Sequence, residues 1–325
     1  MDKVLFSLVI IVSGLSLGWT VRMATESGRL RLPVDLRRLR VAMQKAALLW
    51  ILPATYCGAV WNLSLKNVEL VAMPFIGGSV FLLGGFLALA AAGPLGLSSK
   101  QKGAYYCCGS FSNIGAVGAM VCHTFLGETA FALVPAYKLF EEIVYFALGF
   151  PLAKAYAKGT RMGGGVLAGL KRVATDPFII VALSSMSLGA VLNLSGAVRP
   201  AFFPVLNSIL IPLGSFLMLT SIGLALRFTR LRSYLRECSI IVLIKFLCLP
   251  LLATSAAAVM GFGGILDGTP LKVVLILSSM PVAFTALIPP SIYDLDIDLA
   301  NACWFVSTLS LGAVLPALYW LTSRL

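Results

Sequence analysis

The sequence predicts an all-α integral membrane protein of about ten transmembrane helices, arranged as two inverted five-helix repeats with broken helices in spans four and nine. Three observations predict it. Of the 325 residues 59% are hydrophobic and only 12% charged, with a mean hydropathy of +0.96, more apolar surface than a water-soluble globule of this size can bury. Apolar stretches of spanning length recur along the whole chain. Two of these stretches are interrupted at their middles, at corresponding places in the two halves, which is the sequence pointer to a transporter binding site.

The spans are read in order at 4–23, 41–61, 68–92, 103–126, 129–156, 177–194, 202–226, 239–260, 271–292 and 299–321. The first follows Lys3 like a signal peptide, but it lacks a small-x-small cleavage site and more spans come after it, so it is read as a retained helix. Span four breaks at Gly109-Ser110-Phe111-Ser112-Asn113-Ile114-Gly115. Hydrocarbon offers such a break no hydrogen bonds, so protein or a water-filled cavity must satisfy the freed backbone. Span nine breaks at Met280-Pro281-Val282-Ala283-Phe284-Thr285.

Loop charges set the orientation. Arg22, Arg29, Arg31, Arg37, Arg38, Arg40, Lys45, Lys100, Lys102, Lys154, Lys158, Arg161, Lys171, Arg172, Arg227, Arg230, Arg232 and Arg236 fall in one set of alternate loops, and Lys3, Lys66, Arg199, Lys272 and Arg324 in the other. The count of 18 against 5 predicts a multi-pass cell-membrane protein with the first set cytoplasmic and both termini extracytoplasmic. The net charge of +12 is thereby topology. It is scattered over short loops without interleaved aromatics, which argues against nucleic acid as a partner.

The halves echo one another. Ser16-Leu17-Gly18 returns as Ser187-Leu188-Gly189, Ser27-Gly28 as Ser195-Gly196, Ile51-Leu52-Pro53 as Leu210-Ile211-Pro212, and Pro74 loosely as Pro250. Five spans per half is odd, so the second repeat enters from the opposite side. The expected organisation is a first repeat over 1–157, a cytoplasmic linker over 158–175 and a second repeat over 176–325, with Gly163-Gly164-Gly165 as a flexible tether. Asn113 lies ten residues from Gly103 and Pro281 ten from Leu271. At helical rise that is about 15 Å in each case, which puts both breaks near the midplane.

The chemistry-bearing candidates gather at these breaks. Ser110, Ser112 and Asn113 on one, and Ser279, Met280, Pro281 and Thr285 on the other, are the expected substrate-binding residues, because half-helix N-termini with hydroxyl and amide groups favour an anion. The alternative for the polar side chains is capping of the broken helices. Lys138 in span five is the expected counter-charge, and Glu141 and Glu142 are the coupling-ion candidates. An i,i+4 pair between Lys138 and Glu142 that serves packing alone is the competing reading. Lys245 lies close to the cytoplasmic end of span eight and is expected to snorkel to the interface.

No metal site, cofactor or catalytic residue is expected. His123 is the only histidine, and the seven cysteines form no C-x-x-C pair and read as buried free thiols. Glu141-Glu142 is similar to the opening of membrane-protease motifs, but one histidine cannot supply their partners.

Taken together, Gly14 to Gly18, Ile51-Leu52-Pro53, Ser112-Asn113-Ile114-Gly115, Ile211-Pro212 with Ser221-Ile222-Gly223-Leu224-Ala225-Leu226, and Met280-Pro281 with Tyr293, Asp296, Ala300 and Ser307 resemble the auxin efflux carrier family. The resemblance is to its short microbial permeases, within the wider group that includes the bile acid sodium symporters. It implies crossover helices at spans four and nine, and alternating access by a bundle (spans three to five and eight to ten) moving against a scaffold (spans one, two, six and seven). It also implies a small organic anion as substrate.

The chain lacks the long middle loop of the plant carriers. Tyr137-Lys138-Leu139 stands where an acidic residue commonly follows the tyrosine, and no acidic residue lies between Asp267 and Asp294, which weakens sodium coupling. The expectation is a transporter, not an enzyme. Its alternatives are a receptor or sensor that binds ligand without transporting it, and a sodium-coupled symporter. Expected partners are the organic anion, the lipid bilayer and, through the scaffold helices, a second copy of the chain.

Overall fold

The computed structural model describes residues 1–30, 32–63, 67–158, 175, 177–226 and 231–325. The expected tether at 163–165 lies outside them. Among the described residues all regular structure is helical apart from a single isolated bridge between Ser112 and Val282. Helices Asp2–Glu26, Glu69–Ala92, Phe203–Gly223, Leu231–Val259 and Ile297–Thr322 are long and apolar enough to cross a bilayer, and Ile114–Leu126 and Ile180–Leu194 are shorter apolar helices.

The chain divides into two compact units. The first comprises Met1–Lys66, Gly115–Ala132 and Asp176–Arg227. Within it, Asp2–Glu26 packs along Phe203–Gly223, and Pro177–Leu194 along Leu52–Trp61. Small residues make both contacts close: a Cβ at Gly18 would overlap the Thr220 carbonyl, one at Gly223 the Leu15 carbonyl, and one at Gly189 the Cys57 carbonyl. Without a hydrophobic force between helices in lipid, this backbone approach is what holds them. Gly18 and Gly189, echoes of each other in sequence, thus each seat a helix against the helix that carries the echoed proline, Pro212 or Pro53.

Polar groups secure the ends of this unit. Asn193 donates its amide to the carbonyls of Val60, Trp61 and Leu63 at 3.2, 2.7 and 2.8 Å. Arg199 donates to Gly58 O at 2.8 Å and pairs with Glu128 at 2.7 Å, and Glu128 also accepts from Asn207 at 2.9 Å. His123 lies edge-on to Phe131.

The second unit comprises Asn67–Ile114, Leu133–Thr175 and Phe228–Leu325. Met73–Ala92 packs on Ser99–Ser110, where a Cβ on Gly84 or Gly109 would overlap the other's carbonyl. Ser98 opens Ser99–Ser110 with a reciprocal cap to Gln101. Gln101 and Tyr234 both donate to Asp296, at 3.2 and 2.9 Å, and Asp296 in turn caps Ile297–Thr322 through Leu299 N at 2.9 Å.

Several helices change register along their length. π-Helical turns occupy Ala47–Ile51, Val144–Gly149 and Ile244–Cys248, each two residues before a proline: Pro53, Pro151 and Pro250. Proline lacks the donor and excludes the carbonyl four residues back, so the chain takes the wider turn. Span five, read from sequence as one helix, is interrupted: Glu128–Tyr137 gives way to a turn at 138–140 before Glu141–Ile143. Pro135 inside the first of these helices weakens its ladder just before the break.

The close contacts make a stability prediction. Gly18→Val should lower the melting temperature of the purified protein, by overpacking worth about 1–3 kcal/mol. Gly312→Ala, whose Cβ would meet nothing within 4 Å, should leave it unchanged or raise it.

Candidate functional site

The site lies in the second unit, where two helices stop short of the length a span needs. Ser99–Ser110 ends and Phe111 turns extended, at φ −84° and ψ 123°, before the chain resumes as the π turn Ile114–Gly118. Thr269–Ser278, opened by the left-handed Gly268 and Pro270, ends in a turn at Ser279, and the chain is extended at Ala283 before the short helix Phe284–Leu287. The two extended stretches pair antiparallel at Ser112 and Val282. Asn113 N donates to Pro281 O at 2.9 Å, and Ala283 N to Phe111 O at 3.0 Å. Asn113 and Pro281, level by residue count, are bonded to each other.

Four more backbone donors find partners nearby. Phe111 N donates to Cys107 O, and Ile114 N to Ser112 O, both at 2.9 Å. Ser112 N donates to the Tyr145 hydroxyl at 2.9 Å and Val282 N to the Ser307 hydroxyl at 3.1 Å. Pro281 has no donor to satisfy, which suits it to this position. Side chains from two further helices thus accept from two of the N–H groups that the breaks free in an apolar surround.

Charge reaches the same point. Lys245, fully buried, donates from Nζ to Ser112 Oγ at 2.8 Å and to Phe111 O at 3.2 Å. This corrects the expectation that Lys245 snorkels outward. The π turn Ile244–Cys248 ahead of Pro250 shifts the helix face on which the lysine lies. On the other side, Tyr145 stacks on Phe111 with ring centroids 3.8 Å apart and donates to Glu141 Oε1 at 3.1 Å. Glu141, 5% exposed, pairs through Oε2 with Lys138 at 3.0 Å. Lys138, Glu141, Tyr145, Ser112 and Lys245 form one continuous chain of polar contacts.

The expected substrate residues divide by environment. Ser110, Ser112, Asn113, Ser279, Met280 and Pro281 are buried at the paired breaks, and Thr285 is exposed. The Asn113 amide nitrogen is buried and has no partner among the described residues. Ser279 donates its hydroxyl proton back to Leu275 O at 2.7 Å, which leaves it able only to accept. Glu142 is half-buried, next to Glu141. Lys138 pairs at i+3 with Glu141, across the turn at 138–140.

Tyr145 and Ser307 were not among the sequence candidates for the site. Tyr145 carried a signal, since it stands four residues after Glu141 and so on its face of a helix. Among the described residues no group of three histidine, cysteine or carboxylate side chains is placed to hold a metal.

Tyr145→Phe and Ser307→Ala each leave one buried backbone N–H of the paired breaks without its acceptor. Each should destabilise the protein by about 1–3 kcal/mol, read as a lower melting temperature.

No family model matches the chain. It is 25% identical over 270 residues, 82% of its own length and 83% of the other's, to a protein of Methanothermobacter thermautotrophicus whose name is "Uncharacterized transporter". A chain whose described residues form helices, five of them long and apolar enough to cross a bilayer, is thus similar over most of its length to a protein named as a transporter.

Proposed function

We propose that this chain is a membrane transporter, secondary-active or facilitative, that carries a small organic anion by elevator-type alternating access. The observation that carries the reading is the hydrogen-bonded pairing of two broken helices, with a buried lysine and a partnerless buried amide at the same point. A break of this kind is costly in lipid and serves no span that only anchors. The helices that resume at Ile114 and Phe284 begin there and offer positive N-terminal ends to an anion.

The proposed site is made of Ser110, Ser112, Asn113, Ser279, Met280 and Pro281, with Thr285 toward its open side and Lys138 as counter-charge. Glu141 or Glu142 is the proposed coupling carboxylate. The proposed moving body is the bundle of spans three to five and eight to ten and the proposed scaffold spans one, two, six and seven, in two inverted repeats of five spans. The reciprocal seating of Gly18 and Gly189 supports the repeat. The auxin efflux carrier family, beside the bile acid sodium symporters, is the proposed relationship. The proposed setting is the cell membrane with both termini outside, and a homodimer through the scaffold is the proposed assembly. The chain is proposed to have no enzymatic role.

Purified protein in liposomes should show saturable uptake and counterflow of an organic acid selected by thermal shift. Ligand binding without flux would convert the reading to a receptor. Asn113→Ala should weaken binding about tenfold, the worth of one buried hydrogen bond, with melting temperature little changed. Normal binding by that variant would return Asn113 to a role in the helix break. If Glu141 or Glu142 exchanges the coupling proton, its glutamine variant should lose accumulation against a gradient and keep exchange. Unchanged accumulation in both variants would remove the pair from coupling.

A further inference from the structure

We infer that Lys245 is a tethered cation: its ammonium stands where a free alkali-metal ion would be held by Phe111 O and Ser112 Oγ, so the chain supplies this charge itself. The two acceptors are a backbone carbonyl at the C-terminal end of a broken helix and a hydroxyl, and the carbonyl end carries partial negative charge. Such unwound carbonyls and half-helix ends are what transporters of the broken-helix kind use to coordinate sodium. Here the cation arrives on a side chain. Lys245 is fully enclosed and reaches the carbonyl from the facing helix, on the π turn that Pro250 enforces.

The groups around it fit a fixed positive charge. Ser112 joins it to Tyr145 and so to Glu141, the buried carboxylate of the network, which is itself paired with Lys138. Between Asp267 and Asp294 the second broken segment has no carboxylate, only Lys272. The oxygens that meet Lys245 are both neutral, a carbonyl and a hydroxyl, which suits an ion of single charge. The ammonium also fixes Ser112: with its N–H given to Tyr145 and its hydroxyl oxygen to Lys245, the residue is locked at the pairing point of the two breaks.

A role as simple helix cap is the alternative, and it differs in kind. A neutral donor can cap a carbonyl, whereas only a cation can replace a tethered cation. That transport would then be independent of sodium rests on the transporter reading. The occupancy itself does not, and it is tested without substrate.

The melting temperature of the detergent-purified full chain is measured in sodium, potassium, methylammonium and N-methylglucamine chloride at equal ionic strength. Wild type should melt alike in all four. Lys245→Ala should melt about 5 °C or more lower in N-methylglucamine, from the loss of charged hydrogen bonds. It should recover at least half of that difference, saturably, as sodium or methylammonium is added. Lys245→Gln, which fills the space without charge, should stay low in every salt.

Equal melting of Lys245→Ala in all four salts would overturn the inference. So would a Lys245→Gln as stable as wild type, or a wild type saturably stabilised by sodium. If Lys245→Ala cannot be recovered in N-methylglucamine, purification throughout in methylammonium decides: restored yield supports the inference, and loss in both salts overturns it. Liposomes of wild type that show no flux would end the transporter reading and leave these melting results standing.

Discussion

The constraint on which the second unit depends is the need to satisfy the backbone of two helices that stop inside an apolar surround. Each break frees donors and acceptors that neither water nor lipid can meet. The structure meets them in two ways. The extended stretches bond to each other through Asn113, Pro281, Ala283 and Phe111, and the donors left over go to Tyr145 and Ser307 on neighbouring helices. Because the partners come from three different parts of the chain, the breaks bind the unit together as well as interrupt it.

That arrangement demands close approach elsewhere. Gly84 and Gly109 let the helix before the first break lie backbone to backbone on Met73–Ala92, and Gly77 does the same against the carbonyl of Tyr137. Larger residues would push these helices apart and carry the bonded atoms at the break out of reach, since a hydrogen bond weakens steeply beyond its narrow range of length and angle. The glycines of the second unit and the polar contacts at its centre are therefore one design. In the first unit, where no break lies within the packed helices Asp2–Glu26, Phe203–Gly223, Pro177–Leu194 and Leu52–Trp61, glycine contacts serve helix packing without a polar centre.

Buried charge follows the same logic. A lysine enclosed by protein is tolerated when hydrogen bonds and a nearby carboxylate replace its water. Lys245 has a carbonyl and a hydroxyl, and the chain of contacts through Ser112 and Tyr145 ends at Glu141 and Lys138. Ser112 is the junction. Its backbone N–H and its hydroxyl meet different partners, so displacement of either lysine or tyrosine is felt at the pairing of the two breaks.

The sequence by itself determined a helical chain apolar enough for a membrane, where its long apolar helices run, and the two breaks. Each of these is written locally: composition fixes the solvent, run length fixes a span, and glycine, serine and proline in an apolar run mark where the ladder fails. Only the tertiary structure decided where the charged side chains go. Lys245 turned inward to the first break, Lys138 met Glu141 at i+3, Ser279 turned back on its own helix, and Thr285 faced outward. The physical reason is register. A helix advances about 100° per residue, so one π turn before Pro250, or one turn at 138–140, swings every later side chain to another face, and the outcome depends on which helix stands opposite.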